Sequence, residues 1–75
     1  MDIASMGKLS EFILDYRKQN AMTQSDLARL LGVTEVTISN IERNKIKAGH
    51  RTVKSIAMHC GIGLLEVVRL NENNK

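Results

Sequence analysis

Hydrophobic side chains recur at helical spacing in five blocks of this chain, and polar or glycine-containing segments separate the blocks. Apolar residues three and four positions apart share one face of an α-helix, because a helix turns by about 100° per residue. In the first block the stripe is Leu9, Phe12, Ile13 and Tyr16. The pattern predicts an all-α protein with helices over residues 8–19, 23–31, 34–43, 50–59 and 64–70.

Residues 23–43 contain the second and third predicted helices and a tight turn between them. Gly32 lies in the turn, where a left-handed backbone is needed, and glycine adopts it without steric cost. Thr23 and Thr34 each open a helix, where a hydroxyl can accept a hydrogen bond from an unpaired first-turn amide. Two capped helices with such a turn are typical of a helix-turn-helix, whose second helix enters the DNA major groove.

The third predicted helix has different side chains on its two sides. The inner side carries Ile38, Ile41 and Glu42, and the outer side carries Val36, Asn40 and Arg43, flanked by Glu35, Thr37 and Ser39. An outward Asn can bond bidentately to adenine, and an outward Val can contact a thymine methyl group. The alternative is a solvated helix face with one scattered apolar residue, which is common on protein surfaces.

Glu42 falls on the inner side of the third helix, where an unpaired carboxylate is costly. Arg17 lies at the edge of the apolar stripe of the first helix and is the candidate partner. A bidentate bridge between them would tie the first helix to the third. The alternatives are that Glu42 caps a local loop or is exposed.

Positive charge is concentrated after the third helix, although the net charge is only +3. The cations are Arg43, Lys45, Lys47, Arg51 and Lys54, and no Asp or Glu occurs over residues 43–65. Such a patch indicates a phosphate-binding surface, and the alternative is a solvated basic loop. Gln24 begins the second helix, where the amides and the helix dipole favour a phosphate.

The last predicted helix, residues 64–70, is apolar nearly all round, so it needs a second burial partner. We expect a second copy of the chain about a two-fold axis, with Leu65, Val68 and Leu70 at the dimer contact. The alternative is a terminal helix fully inserted in a monomer. The flanking segments, residues 1–7 and 71–75, are expected to be a flexible arm and a frayed polar tail.

Composition limits the other possibilities. The 75 residues make one small domain with an aliphatic core, since there are one Tyr, one Phe and no Trp. Cys60 is the only cysteine, and neither a membrane-spanning run nor a signal peptide is apparent, so we expect a cytoplasmic protein. His50, His59 and Cys60 are the only candidate ligands or bases. We expect no enzyme activity, metal site or cofactor.

The helix-turn-helix region combines Gln24, Leu27, Ala28, Leu31, Gly32, Val33, Ile38, Ile41 and Glu42. This combination resembles the Cro and phage-repressor helix-turn-helix family, the XRE-like domains, and the resemblance extends over residues 9–68. It implies a compact five-helix, lambda-repressor-like DNA-binding domain, usually dimeric on a near-palindromic operator.

By position, the resemblance implies two sets of DNA contacts. The base contacts are Glu35, Val36, Thr37 and Asn40. The phosphate contacts are Gln24, Ser39, Arg43, Asn44, Lys45 and Lys47. Gln24 would also brace the third helix, and a bridge like Arg17–Glu42 is common in such relatives.

The chain departs from the family pattern at several positions. Asn44 and Gly63 stand where the family usually has Gly and Ser, and the loop after the third helix lacks the common Pro. Glu35 can accept a hydrogen bond from cytosine N4 but repels phosphate.

Two functional hypotheses follow from these features. The first is a homodimeric transcription regulator, most simply a repressor, that binds double-stranded DNA. The second is a protein-binding module on the same fold, an antitoxin or antirepressor, whose last helix meets a regulatory protein partner.

Overall fold

The protein is described here by a computed structural model that covers residues 7–75. Five helices follow one another: α1 (Leu9–Gln19), α2 (Gln24–Leu31), α3 (Glu35–Glu42), α4 (His50–His59) and α5 (Leu64–Glu72). No strand occurs in this part of the chain. The all-α, five-helix architecture expected from the sequence is confirmed.

The core is aliphatic and draws on all five helices. Its fully buried side chains include Leu9, Ile13, Leu27, Ile38, Ile41, Ile56, Val67 and Leu70. Helix α3 packs against α1 and α2, while α5 packs against α1 and α4. Burial of Ile38 and Ile41 therefore holds α3 from behind and leaves its opposite side at the surface.

The turn between α2 and α3 has the predicted geometry. Gly32 has a φ of 74°, in the left-handed region that glycine adopts most easily. Thr23 Oγ1 accepts a hydrogen bond from the Asp26 amide at 3.0 Å, and Thr34 Oγ1 accepts one from the Thr37 amide at 3.1 Å. These caps satisfy amides that have no partner within the helix, so both helices of the motif begin where the sequence predicts.

The segment after α1 shows how a non-glycine residue takes a left-handed turn. Asparagine tolerates that conformation better than alanine, yet Asn20 has a φ of −101° and Ala21 has a φ of 53°. The Asn20 side chain instead donates a hydrogen bond to the Tyr16 carbonyl oxygen at 2.8 Å. The Asn20 backbone amide donates to the same oxygen at 3.1 Å, so Asn20 holds the helix end through two hydrogen bonds while Ala21 takes the left-handed conformation.

The expectation of a frayed tail over residues 71–75 is wrong. Helix α5 continues to Glu72, and the Asn74 side chain is buried, with the residue only 3% exposed. Its carboxamide is hydrogen-bonded to main-chain groups of three other segments. The expected flexible arm lies outside the described residues except for Gly7, whose amide donates to Glu11 Oε1.

Leu70 is not a surface residue, and its expected place at a dimer contact is wrong. It is 0% exposed because it lies on the side of α5 that faces the core. Leu65 and Val68 lie on the other side and remain exposed. None of the helices in residues 7–75 is both long and apolar enough to cross a membrane.

The strained turn after α1 gives a first test. We expect Ala21→Gly to raise the free energy of unfolding by about 0.5 kcal/mol. A left-handed backbone costs a non-glycine residue about 1 kcal/mol, part of which is offset by the greater freedom of glycine in the unfolded chain. Urea unfolding measures the change.

The matched control is Ala57→Gly, in the middle of α4. Here glycine should lower the free energy of unfolding by about 1 kcal/mol, since the backbone is helical. A loss of stability in both variants would contradict the assignment of strain to Ala21.

Candidate nucleic-acid interface

The outward side of α3 is the candidate recognition surface. Val36 is 68% exposed, Glu35 is also exposed, and Thr37 and Asn40 are half-buried. The division of α3 into an inner aliphatic side and an outer polar side is therefore as expected. Contacts of these side chains with bases stay predictions.

Two polar side chains on this surface, Thr37 and Asn40, differ in their hydrogen bonds within the protein. Thr37 Oγ1 lies 2.9 Å from Thr34 Oγ1, so the Thr37 hydroxyl belongs to the N-terminal cap of α3. The Asn40 carboxamide has no hydrogen-bond partner within residues 7–75. Asn40 thus keeps a donor and an acceptor for a bidentate contact, whereas Thr37 would have to share its hydroxyl.

An ion pair at the end of α3 fixes how the helix is turned. Arg17 Nε lies 2.8 Å from Glu42 Oε2, and Arg17 Nη2 lies 3.0 Å from Glu42 Oε1. The Glu42 side chain is 6% exposed and that of Arg17 is 18% exposed. The hydrogen bond to Glu42 raises the pKa of Arg17 above its ordinary value. The bidentate bridge predicted from the sequence is present and joins α1 to α3.

Gln24 adds a third helix to this cluster. Its Nε2 donates a hydrogen bond to Glu42 Oε1 at 3.1 Å, so α2 is braced against α3 as the family resemblance implied. Arg17 Nη1 also donates to the Met22 carbonyl oxygen at 3.1 Å, just before α2. Because the Gln24 side chain is engaged here, its phosphate contact stays a prediction that rests on the outward first turn of α2.

The cations of the basic patch follow α3 in the chain and lie at the surface. Its members are Arg43, Lys45, Lys47, Arg51 and Lys54, all exposed. None of them forms a salt bridge within residues 7–75. Exposed cations without an acidic partner are the feature that phosphate binding requires.

Asn44 shapes the start of the loop that carries two of these lysines. Its φ is 59°, a left-handed conformation that asparagine tolerates. Its Oδ1 accepts a hydrogen bond from the Lys75 amide at 2.8 Å. This leaves Nδ2 as the Asn44 donor for the predicted phosphate contact.

Sequence reasoning missed three side chains that hold the site in place. Ser55 Oγ donates to the Leu31 carbonyl oxygen at 2.8 Å, which fixes the end of α2 on α4. Asn71 and Asn74 reach from the end of the chain to the loop after α3. The run NENNK has the composition of a solvated tail and no periodicity, so no signal in the sequence marked Asn74 as buried or Asn71 as bonded to the loop.

The candidate ligands for chemistry do not come together. In the described residues, no three His, Cys, Asp or Glu side chains are arranged to hold a metal ion. Burial raises the pKa of the Cys60 thiol to about 11. Cys60 is therefore protonated at neutral pH, and a protonated thiol is neither a nucleophile nor a metal ligand.

A capped helix-turn-helix, an outward polar helix face and adjacent unpaired cations together define a small DNA-binding domain. The model of the family described as Helix-turn-helix matches residues 13–67. The match covers most of the chain, which therefore belongs to the XRE-like helix-turn-helix family of DNA-binding transcription regulators. Comparisons with curated proteins and with solved structures gave no match.

The buried ion pair gives a second test. We expect Arg17→Ala to lower the free energy of unfolding by about 3 kcal/mol, because it leaves the Glu42 carboxylate buried without its main partner. Urea unfolding of the wild type and the variant measures the difference.

Arg29→Ala is the matched control, because Arg29 pairs with Asp26 at the surface of α2. Exposed pairs contribute little, so this variant should unfold nearly as the wild type does. The double replacement Arg17→Met with Glu42→Leu should cost less than Arg17→Ala, since neither charge is left alone. Equal losses of unfolding free energy in Arg17→Ala and Arg29→Ala would show that the burial of Glu42 does not determine the cost of losing its partner.

Proposed function

We propose that this protein is a homodimeric repressor that inserts α3 into the major groove of a near-palindromic operator. The observation that carries the proposal is the outward face of α3, on which Val36 and a free Asn40 carboxamide lie beside unpaired cations. A site occupied in this way within a promoter would block transcription.

Choice of sequence would come from the outer side chains of α3. The Asn40 carboxamide suits the N6 and N7 edge of adenine, and the exposed Val36 suits a thymine methyl group. Glu35 can accept a hydrogen bond from cytosine N4, and Thr37 can contact a base with the hydroxyl it shares with Thr34. Asn40 would contribute most to the choice of sequence, since a bidentate pair of hydrogen bonds discriminates best between bases.

Affinity would come mainly from the phosphates. The proposed phosphate contacts are Gln24, Ser39, Arg43, Asn44, Lys45 and Lys47. Such contacts set the register of the protein on the duplex and make binding fall steeply with salt.

Dimerisation is proposed from the exposed side of α5. Leu65 is 85% exposed, and Leu64 and Val68 beside it are also exposed. Large apolar side chains grouped at a surface favour a protein partner, and a second copy related by a two-fold axis is the simplest one. Two α3 helices about 34 Å apart would then reach successive major grooves.

The same apolar surface supports a second candidate function. Leu64 and Leu65 could instead pack on a different protein, in which case the domain would act as an antitoxin or antirepressor. The two functions differ in their ligands. A repressor binds duplex DNA with a steep dependence on salt, whereas a protein-binding module forms a stable complex with its partner and has no DNA affinity.

The recognition assignment is tested on a duplex selected from random sequences by the wild-type protein. We expect Asn40→Ala to lose about 1–3 kcal/mol of binding free energy on that duplex and to relax the preference at one base pair. Fluorescence anisotropy with the selected duplex and its single-base variants measures both effects.

Asn73→Ala is a control with the same chemical change, because within residues 7–75 the Asn73 side chain donates only to the Gly7 carbonyl oxygen. It should bind as the wild type does. If Asn40→Ala keeps both the affinity and the base preference of the wild type, α3 does not read the duplex through Asn40.

The dimer is tested with Leu65→Glu. This residue is mostly exposed, so the folded monomer should keep its stability, while a charge at the proposed contact should shift the protein from dimer to monomer. Sedimentation measures the mass of the protein assembly in solution. Binding to the whole operator should weaken, but binding to a single half-site should not change.

Met58→Glu is the matched control, since Met58 is a comparably exposed apolar residue on α4. Met58→Glu should leave the mass of the assembly unchanged. A wild type that sediments as a monomer even on its operator would rule out the proposed dimer.

A further inference from the structure

The loop over residues 44–49 joins α3 to α4 and carries Lys45 and Lys47, two of the proposed phosphate contacts. Both lysines are exposed. Ala48, which follows Lys47 and precedes α4 in the chain, is buried. Surface loops are usually mobile, and a mobile lysine gives up freedom when it binds. The contacts that hold this loop in place therefore affect the affinity of the lysines for phosphate.

Asn71, on α5, pairs with the backbone of the loop at two points. Its Oδ1 accepts a hydrogen bond from the Ala48 amide at 2.7 Å, and its Nδ2 donates to the Ala48 carbonyl oxygen at 2.9 Å. One carboxamide thus satisfies both polar groups of one loop residue. Two short bonds from a helix fix the position and the rotation of the backbone at Ala48.

Asn74 ties the loop to two more elements. Its Nδ2 donates to the Ile46 carbonyl oxygen at 2.8 Å and to the Ile41 carbonyl oxygen at 3.3 Å, while its Oδ1 accepts from the Ser10 amide at 2.9 Å. Ile41 lies in the last turn of α3, and its carbonyl oxygen also accepts a hydrogen bond from the Asn44 amide at 3.0 Å. The end of the recognition helix, the loop and the start of α1 therefore meet at one side chain.

The anchored residues alternate with the lysines. Ile46 and Ala48 have backbone groups that turn inward to Asn74 and Asn71, and the side chains of Lys45 and Lys47 are exposed. Burying a carboxamide costs free energy unless its hydrogen bonds are made. Asn74 is buried and Asn71 is partly buried, and both use their donors and acceptors on this loop and its neighbours, so their hydrogen bonds hold the loop in place.

We propose that Asn71 and Asn74 are positioning residues for DNA binding, which hold residues 44–49 so that Lys45 and Lys47 face the phosphates. This inference rests on the proposed DNA-binding function. The asparagines do not touch DNA. They act because the loop is ordered before binding, and a preorganised loop loses less entropy when the complex forms.

The test compares the affinities of the wild type, Asn71→Ala and Asn73→Ala for the selected duplex. We expect Asn71→Ala to bind about tenfold more weakly, because the loop must be ordered on binding. Asn73→Ala removes an asparagine two positions away that bonds to Gly7 and not to the loop, and it should bind as the wild type does.

A double-mutant cycle separates positioning from a general loss of stability. Asn71→Ala is repeated in a protein that already carries Lys45→Ala and Lys47→Ala. If the asparagine acts through the lysines, most of its effect on affinity disappears in that background. An equal fold-loss with and without the lysines would overturn the inference.

Hydrogen exchange of the free protein reports the loop directly. The Ala48 amide should exchange at least about tenfold faster in Asn71→Ala than in the wild type, while the amide of Ile56 in α4 keeps its protection. Protection of Ile56 shows that the variant is folded. If Asn71→Ala unfolds, a variant with Asn71→Ser, which keeps one hydrogen-bonding group, is measured in the same way.

The outcomes distinguish this inference from the function on which it rests. A wild type that binds no duplex at low salt overturns both, even if the Ala48 amide exchanges faster in the variant. A wild type that binds DNA, with an Asn71→Ala variant that binds equally well, overturns the positioning role alone.

Discussion

The carboxylate of Glu42 is the constraint on which the orientation of α3 depends. It lies on the inner side of α3, and its burial is tolerable only because Arg17 and Gln24 bond to it. Those partners come from α1 and α2, so the charge is satisfied only when three helices are correctly placed. A rotation of α3 that moved Asn40 inward would also pull Glu42 from its partners, so the ion pair and the exposed face are set together.

Hydrogen bonds at both ends of α3 complement the aliphatic packing in its middle. Thr34 caps the beginning of the helix, and Asn74 donates a hydrogen bond to the Ile41 carbonyl oxygen near its end. Ile38 and Ile41 supply most of the burial, but aliphatic contacts are not directional and permit small rotations. Hydrogen bonds are directional. A surface that must present side chains to fixed positions in a groove benefits from both kinds of contact.

The two errors of the sequence interpretation have a common cause. Helix α5 is apolar on most of its surface, so periodicity could not tell which apolar residues face the core, and Leu70 was assigned to the wrong side. Asn74 follows α5 in a run of polar residues that looks solvated, yet it is buried. In both cases the deciding contacts come from residues distant in the chain: α5 packs on α1 and α4, and Asn74 bonds to α1, α3 and the loop after α3.

The amino-acid pattern alone was enough to predict the five helices, the turn at Gly32, the two threonine caps, the inner and outer faces of α3 and the Arg17–Glu42 pair. These features depend on local periodicity, on the conformational freedom of single residue types, or on the cost of a lone inward charge. The packing of the helices was needed to show that Gln24 bonds to Glu42 itself, that Leu70 is core and that Asn71 and Asn74 bond to the basic loop. A side-chain amide can bond to any peptide group it reaches, and which group it reaches depends on how the helices pack.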